Sequence, residues 1–362
     1  MVERQAELKL SRPTQYTLLY ALFIFLVASL FLEWAARQPF VQEQVPYQAF
    51  GTNHTQMEIQ LDYLDRFVED HGAPDCFIFG SSQAFRGVDA DALTIALNSG
   101  TGDDFSCYNF GVTGSQVATT SVLAKILMEE YHPRLIIIGT SFLDYTEGRE
   151  RQLDERFINS EWLKYKTGRF SINGWLMEHS YAWRFITLLS YSTAYDMNFR
   201  EVLREAHKWD GEIAESGYAI SNISVNPNYP AGDGFVKNFR QELGSYGLSN
   251  RNMLALEQLV HDSKTIGARV LIVEMPYHKA LLNLYDPSRQ PRVDQEKMLT
   301  LQRTANERIS AIASAQDASF LMIDSSLTIP NNVWFDLYHL NRSGAELFSQ
   351  WIGEHAAGFL TQ

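Results

Sequence analysis

CFIFGSS, residues 76–82, decides how the rest of the chain is read. Four residues of apolar run lead into a glycine and two serines. An apolar run without polar alternation is the mark of a strand buried on both faces. Small residues at its end suit a tight turn into a helix. The figure returns as CYNFG at 107–111 and LIIIG at 135–139. Helical patterns lie between, over Ala90 to Leu97 and Ser115 to Glu130. Upstream, Thr55 to Asp70 carries Met57, Ile59, Leu61, Leu64, Phe67 and Val68, mostly at helical spacing. Downstream come a helix over Leu248 to Ile266, the strand VLIVE at 270–274, a helix over Gln295 to Ser314, the strand FLMI at 320–323 and a last helix from Gly344 to His355. Ser343 and Glu346 fit a capping box for that last helix. Strands alternating with helices specify a parallel sheet covered on both faces. The expected fold is a three-layer α/β/α sandwich, doubly wound and flavodoxin-like, with about five parallel strands.

The alternation breaks off between residues 145 and 235. That stretch offers no clear strand and is rich in aromatics, Trp162, Tyr165, Phe170, Trp175, Tyr181, Trp183, Tyr191 and Trp209 among them. It reads as an inserted helical lobe, closed by the turn-rich NPNYPAGDG at 226–234. Its aromatics suit the lobe's own core, and stacking against sugars is the other use for them.

The chain of 362 residues, 45% hydrophobic, has room for one catalytic-sized domain with an extra lobe. Its net charge of -13 and lack of a basic stripe argue against nucleic acid as a partner. Tyr16 to Leu32 carries no charge and is bordered by Tyr16, Tyr20 and Trp34, as the ends of a membrane-spanning helix are. Arg4, Lys9 and Arg12 precede it and only Arg37 closely follows, which puts the N-terminus in the cytoplasm and the rest outside. A cleaved signal peptide is the rival reading, but the residues around Trp34 make a poor small-x-small cleavage site. The expected layout is a cytoplasmic stub and anchor over 1–35, a polar tether over 36–55 and an extracytoplasmic domain over 56–362. Cys76 and Cys107 each open a strand. If the strands are neighbours a disulfide is geometrically feasible, and two buried thiols are the alternative. No cysteine–histidine cluster suggests a metal, and no cofactor is expected.

Ligands of open parallel sheets bind beyond the carboxyl ends of the strands. There the sequence supplies Gly80-Ser81-Ser82, Gly111-Val112-Thr113-Gly114, Gly139-Thr140-Ser141, Pro276-Tyr277-His278 and Asp336-Leu337-Tyr338-His339-Leu340-Asn341. This is the inventory of a serine acyl-transfer site: a hydroxyl at a helix start, glycines that let N–H groups approach an oxyanion, an imidazole to take the proton and a carboxylate to orient it. Asp336 and His339, three apart on a tight loop before a helix, can both turn toward one serine. Arg86, four residues past Ser82, is a candidate for holding a substrate anion or for a structural ion pair. His278 is a candidate substrate contact or a packing histidine. Asp144 suits a helix N-cap. Three sequons, at Asn53, Asn222 and Asn341, match the N-glycosylation pattern; the third overlaps the histidine block, and none is taken as a glycan site.

The blocks GSS (80–82), NFGVTG (109–114), GTS (139–141) and DLYHLN (336–341) together resemble the SGNH/GDSL hydrolase superfamily. The resemblance covers 75–144 and 268–356 and leaves the insertion unmatched. It implies Ser82 as the nucleophile, Asp336 and His339 as its triad partners, and Gly114 as an oxyanion donor. Ser81 stands where the family has Asp, and Ser141 where it has an oxyanion-binding Asn; a serine hydroxyl donates one hydrogen bond over a shorter reach. Chain layout and GSS together look like the membrane-anchored branch that acylates exported polysaccharides, the AlgJ-, AlgX- and DltD-like proteins of alginate acetylation and teichoic-acid D-alanylation. That implies an O-acyltransferase or esterase acting on a cell-envelope glycan beside a multispanning membrane O-acyltransferase. A binding or scaffold subunit of such a complex is the alternative.

Overall fold

The computed structural model describes residues 12–42, 44–45, 48–148, 159–194, 198–224, 233–283 and 294–361. Five strands, Cys76–Gly80 (β1), Cys107–Gly111 (β2), Leu135–Thr140 (β3), Arg269–Glu274 (β4) and Ser319–Leu321 (β5), form one parallel sheet in the order β2-β1-β3-β4-β5. β1 to β4 are buried almost throughout, as their unbroken apolar runs require, and the short edge strand β5 is half-buried. β5 ends at Leu321, two residues short of the expected stretch.

Alternate residues of each strand feed opposite layers. Phe77, Phe79, Ile136 and Ile138 pack under the helices Thr55–His71 (α3), Val117–Tyr131 (α6), Asn250–Thr265 (α12) and Gln295–Ala315 (α13). Ile78, Cys76, Ile137 and Leu271 face the helices Ala90–Thr101 (α5) and Arg342–Leu360 (α14). The three layers are those expected, and each fully buried Phe or Ile contributes about 1.5–3 kcal/mol. Cys76 and Cys107 pair in register across β1 and β2, and both are buried free thiols. Burial, then the neighbouring Cys107, pushes the Cys76 thiol well up, so it behaves as a small apolar group.

Between β3 and β4 the insertion forms helices Glu161–Lys166 (α7), Ile172–His179 (α8), Tyr181–Ala194 (α9), Phe199–Asp210 (α10) and Asp233–Leu243 (α11). The middle of the expected closing turn lies outside the described residues, and its last two positions, Asp233 and Gly234, open α11. Trp162 packs tilted against Phe50, ring centres 5.2 Å apart, and Tyr191 is buried among Ile59, Phe85 and Val202, so these aromatics serve as core. The first helix, Arg12–Ala36 (α1), contains a 21-residue span, Tyr16–Ala36, long and apolar enough to cross a membrane and not buried by the protein. The described part of 36–55 does not hang free. It includes a short helix, Pro39–Gln42 (α2), while Ala49, Phe50 and Thr52 are buried against the body.

One local expectation is corrected. The cap of α14 is Asn341, whose side chain accepts from Gly344 N–H at 3.1 Å; Ser343 lies inside the helix, and Glu346 pairs with Arg342 at 3.0 Å. The Asn-Arg-Ser run offers two capping residues, and the earlier one wins because its amide also reaches Ser224 and the Asn332 carbonyl.

Candidate active site

After β1 the chain turns to β2 on one side, and β3 lies on the other, so the crevice above β1 and β3 is the switch point of the sheet. Three strand-end glycines lie level there: Gly80 pairs with Gly111 and with Gly139. A Cβ on Gly80 would sit 2.3 Å from the Gly139 carbonyl oxygen, and one on Gly111 would sit 2.5 Å from Phe85 N. Only glycine lets the short helix Ser82–Gly87 (α4) press onto the strand ends. Ser82 is its first residue, so its N–H has no partner within the helix.

His339 arrives from the loop before α14, 257 residues further along, with its Nε2 2.8 Å from Ser82 Oγ. Its Nδ1 lies 2.7 Å from Asp336 Oδ2. The other carboxylate oxygen of Asp336 accepts the backbone N–H groups of Tyr338 at 2.9 Å and His339 at 2.8 Å. Burial alone would raise this carboxyl. The hydrogen bond and charge of His339 and the two backbone donors outweigh it and hold the carboxyl below its usual range. An ionised carboxylate only accepts, so Nδ1 carries the ring proton and Nε2 is left to receive the proton of Ser82. His339 is 8% exposed, and the Tyr338 ring, with centroids 4.3 Å apart, covers one side of it.

Gly114 sits on the loop after β2 with φ of 68°, a left-handed conformation that suits glycine. Helix α3 holds this loop. Gln56 accepts Thr113 N–H at 2.9 Å and donates to the Gly111 carbonyl at 3.2 Å, and His54 Nε2 lies 2.9 Å from the Thr113 carbonyl. Ser141 is buried at the end of β3. Its hydroxyl donates to Gln83 Oε1 at 2.6 Å, and its N–H donates to Asp144 at 2.8 Å. The expected cap role of Asp144 is corrected: Ser141 is the N-cap of the short turn Phe142–Tyr145, and Asp144, three residues on, accepts the Ser141 N–H as the other half of a capping box.

Gln83, absent from the sequence-based candidates, is the cross-brace of the site. Besides Ser141 it donates to the Pro276 carbonyl at 3.2 Å and the Tyr338 carbonyl at 3.1 Å. The residue next to Ser82 therefore ties the loops after β1, β3 and β4 to the His339 loop. The signal for it was a large amide directly after two serines in a run otherwise built of small and apolar residues.

The two proposed substrate contacts are engaged in the protein itself. Arg86 pairs with Glu212 at 3.2 Å, and its guanidinium lies 4.6 Å from the centre of the Phe335 ring. His278 is buried, its Nε2 3.1 Å from Asn331 Oδ1 while its Nδ1 accepts Ala280 N–H at 3.0 Å. Its N–H also donates to the Leu337 carbonyl at 2.8 Å, so both residues buttress the 331–339 loop. Among the described residues, no group of three or more His, Cys, Asp or Glu is arranged to hold a metal ion.

Solved structures of similar fold include a lipase/acylhydrolase from Enterococcus faecalis, 11% identical, with 78% of this chain and 95% of that one covered and a TM-score of 0.37. A GDSL-like lipase from Bacteroides thetaiotaomicron is 10% identical, with 83% and 99% covered and a TM-score of 0.35. Neither the family models nor the curated proteins give a match. At such identity and overlap the likenesses say nothing of chemistry, which has to be read from the side chains.

Proposed function

We propose that this protein is a membrane-anchored serine acyl-ester enzyme, an esterase or O-acyltransferase. The observation that carries the reading is the unbroken relay from Ser82 through His339 to Asp336, at 2.8 and 2.7 Å. Ser82 Oγ attacks the acyl carbonyl as its proton passes to His339 Nε2. The N–H groups of Ser82 and Gly114, joined by Ser141 if its hydroxyl turns from Gln83, receive the oxyanion. The leaving alcohol or thiol takes the proton back from Nε2, and the acyl group stays on Ser82. Water then releases an acid, or a sugar hydroxyl takes the acyl group as an ester. This chemistry requires no cofactor.

The 21-residue apolar helix supports an anchor, and the charge bias around it supports an extracytoplasmic body. The resemblance to the polysaccharide-acylating branch favours acetyl or a similar acyl ester of an exported or cell-envelope glycan as substrate. A multispanning membrane O-acyltransferase is then the partner that brings the acyl group.

Full-length protein in detergent, given a chromogenic acetyl ester and a fluorophosphonate probe, should turn over the one and be labelled by the other. Both should vanish in Ser82→Ala. The engagement of the Ser141 hydroxyl by Gln83 favours a second reading, a glycan-binding or scaffold subunit without its own turnover. Absent labelling together with retained glycan binding would decide for it. Acylated oligosaccharide found by mass spectrometry when an acceptor is added would separate transfer from hydrolysis.

A further inference from the structure

Among the described residues, ten large apolar side chains are exposed outside α1 and the Phe40 that follows it. Five of them fall in one stretch of the insertion: Phe170 at 79%, Ile172 at 66%, Trp175 at 45%, Ile186 at 47% and Leu189 at 41%. The others lie apart, Ile95 on α5 and Leu254 on α12 for example. A cluster of this kind on a soluble surface marks a contact with something apolar.

The same stretch is where the body grips the apolar helix. Glu33 accepts from the Ser180 hydroxyl at 2.7 Å and from the N–H groups of Tyr181 and Ala182, both at 3.1 Å, so a residue of α1 supplies the N-terminal acceptor of α9. Arg37 pairs with Glu33 at 2.7 Å, and its guanidinium lies 4.4 Å from the centre of the Tyr181 ring. Within Tyr16–Ala36, α1 is exposed except at Ser29, Glu33, Ala35 and Ala36, where the body half-covers it. Ser29 lies inside the uncharged run Tyr16–Leu32, one turn or about 6 Å deeper than Glu33. The body therefore meets α1 at the end of the span, where Glu33 binds the start of α9.

We propose that the helical hairpin of α8 and α9, with Phe170, Ile172 and Trp175 at and just before the start of α8, rests in the interfacial layer of the bilayer that α1 enters. The occupant of the exposed apolar patch is lipid. Trp and Phe suit the headgroup boundary, and the exposed Arg169 beside them suits lipid phosphate. The proposal rests on the anchor reading above. With two attachments, the body cannot swing about α1.

Bimane attached to full-length Ile172→Cys, in nanodiscs of equal parts phosphatidylcholine and phosphatidylglycerol, tests it. The two natural cysteines are buried and stay unlabelled. Leu22→Cys reports the anchor, and Leu254→Cys reports a solvent-facing site. With nitroxide on the lipid acyl chains near the headgroup, labels at 22 and 172 should be dimmed about twofold or more and the label at 254 unchanged, as for insertion of some 5–10 Å. Phe170→Cys repeats the reading should the first variant be poorly made. Quenching at 22 with a label at 172 as bright as that at 254 overturns the docking alone and hands the patch to a protein partner or a second copy. No quenching at 22 overturns the anchor, and the docking with it.

Discussion

Two carboxyls, one half-buried and one fully buried, sit in different regions of this molecule and are treated in opposite ways. Asp336, on the rim of the sheet, meets an imidazole and two backbone N–H groups and is held below its usual range. Glu58, on α3 beneath the insertion, meets only neutral donors: the Thr52 N–H at 2.8 Å and the hydroxyls of Thr52 and Tyr191 at 2.7 Å, with the Phe50 N–H acting more weakly. The first three reach one oxygen, while Oε2 is buried without a hydrogen-bond partner. Burial dominates there and pushes the Glu58 carboxyl up to about 7. Depth and partner act together: the deeper acid without a partner able to carry the opposite charge is pushed up, and the shallower one beside an imidazole is held down. The rim keeps an ion beside an imidazole, and the seam under the insertion keeps a neutral acid.

Asp336→Asn should break the first half of this contrast with the largest effect. The amide cannot hold the Nδ1 proton, and kcat for ester turnover should fall by about 10⁴-fold while the thermal midpoint barely moves. An unchanged kcat would remove Asp336 from the reaction. Gln83→Ala comes next. It loosens the four loops without touching the three reacting side chains, and a displacement of about 1 Å should lower kcat some 10²-fold. Its Ser82 should still react slowly with a fluorophosphonate, a readout that separates misplacement from loss of the nucleophile.

Glu58→Gln sharpens the other half. A carboxyl raised from 4.5 to about 7 binds its proton more tightly in the folded state. Its stabilising contribution is therefore complete below pH 4.5 and is lost as the pH climbs toward 7, on the order of a few kcal/mol in all. Gln, always neutral, should flatten that fall in urea melts between those two pH values and leave turnover unchanged. A slope identical to that of the parent chain would show the ionisation to be tolerated. Asn341→Ala should have the smallest effect, about 1 kcal/mol from the lost cap of α14, and a small loss of activity because that helix follows the His339 loop.

The parts of the fold that were legible share a physical cause. A strand buried on both faces leaves an uninterrupted apolar run, so β1 to β4 could be read within a residue or so, whereas the half-buried edge strand β5 left a weaker trace. Asp336 and His339 were legible because both lie on one loop and their pairing is local. The braces were not. Gln56, Gln60 and Gln83 lie on buried surfaces, and most of their partners are backbone groups far away in the chain, such as Gly217 for Gln60 and Tyr338 for Gln83. An amide bonded to a distant carbonyl has no periodicity to betray it. Gln56 and Gln60, one turn apart and bonded to each other at 2.6 Å among apolar neighbours of α3, were the nearest thing to a hint. The grip of Glu33 on α9 was invisible for the same reason.

The hydroxyl of Ser82 and the imidazole that would activate it are separated by most of the polypeptide. During synthesis the first emerges long before the second. On the proposed reading, a chain stalled or clipped before His339 would carry the nucleophile without its base. If the proposed relay acts, the appearance of ester turnover would report the arrival of the His339 loop over the crevice.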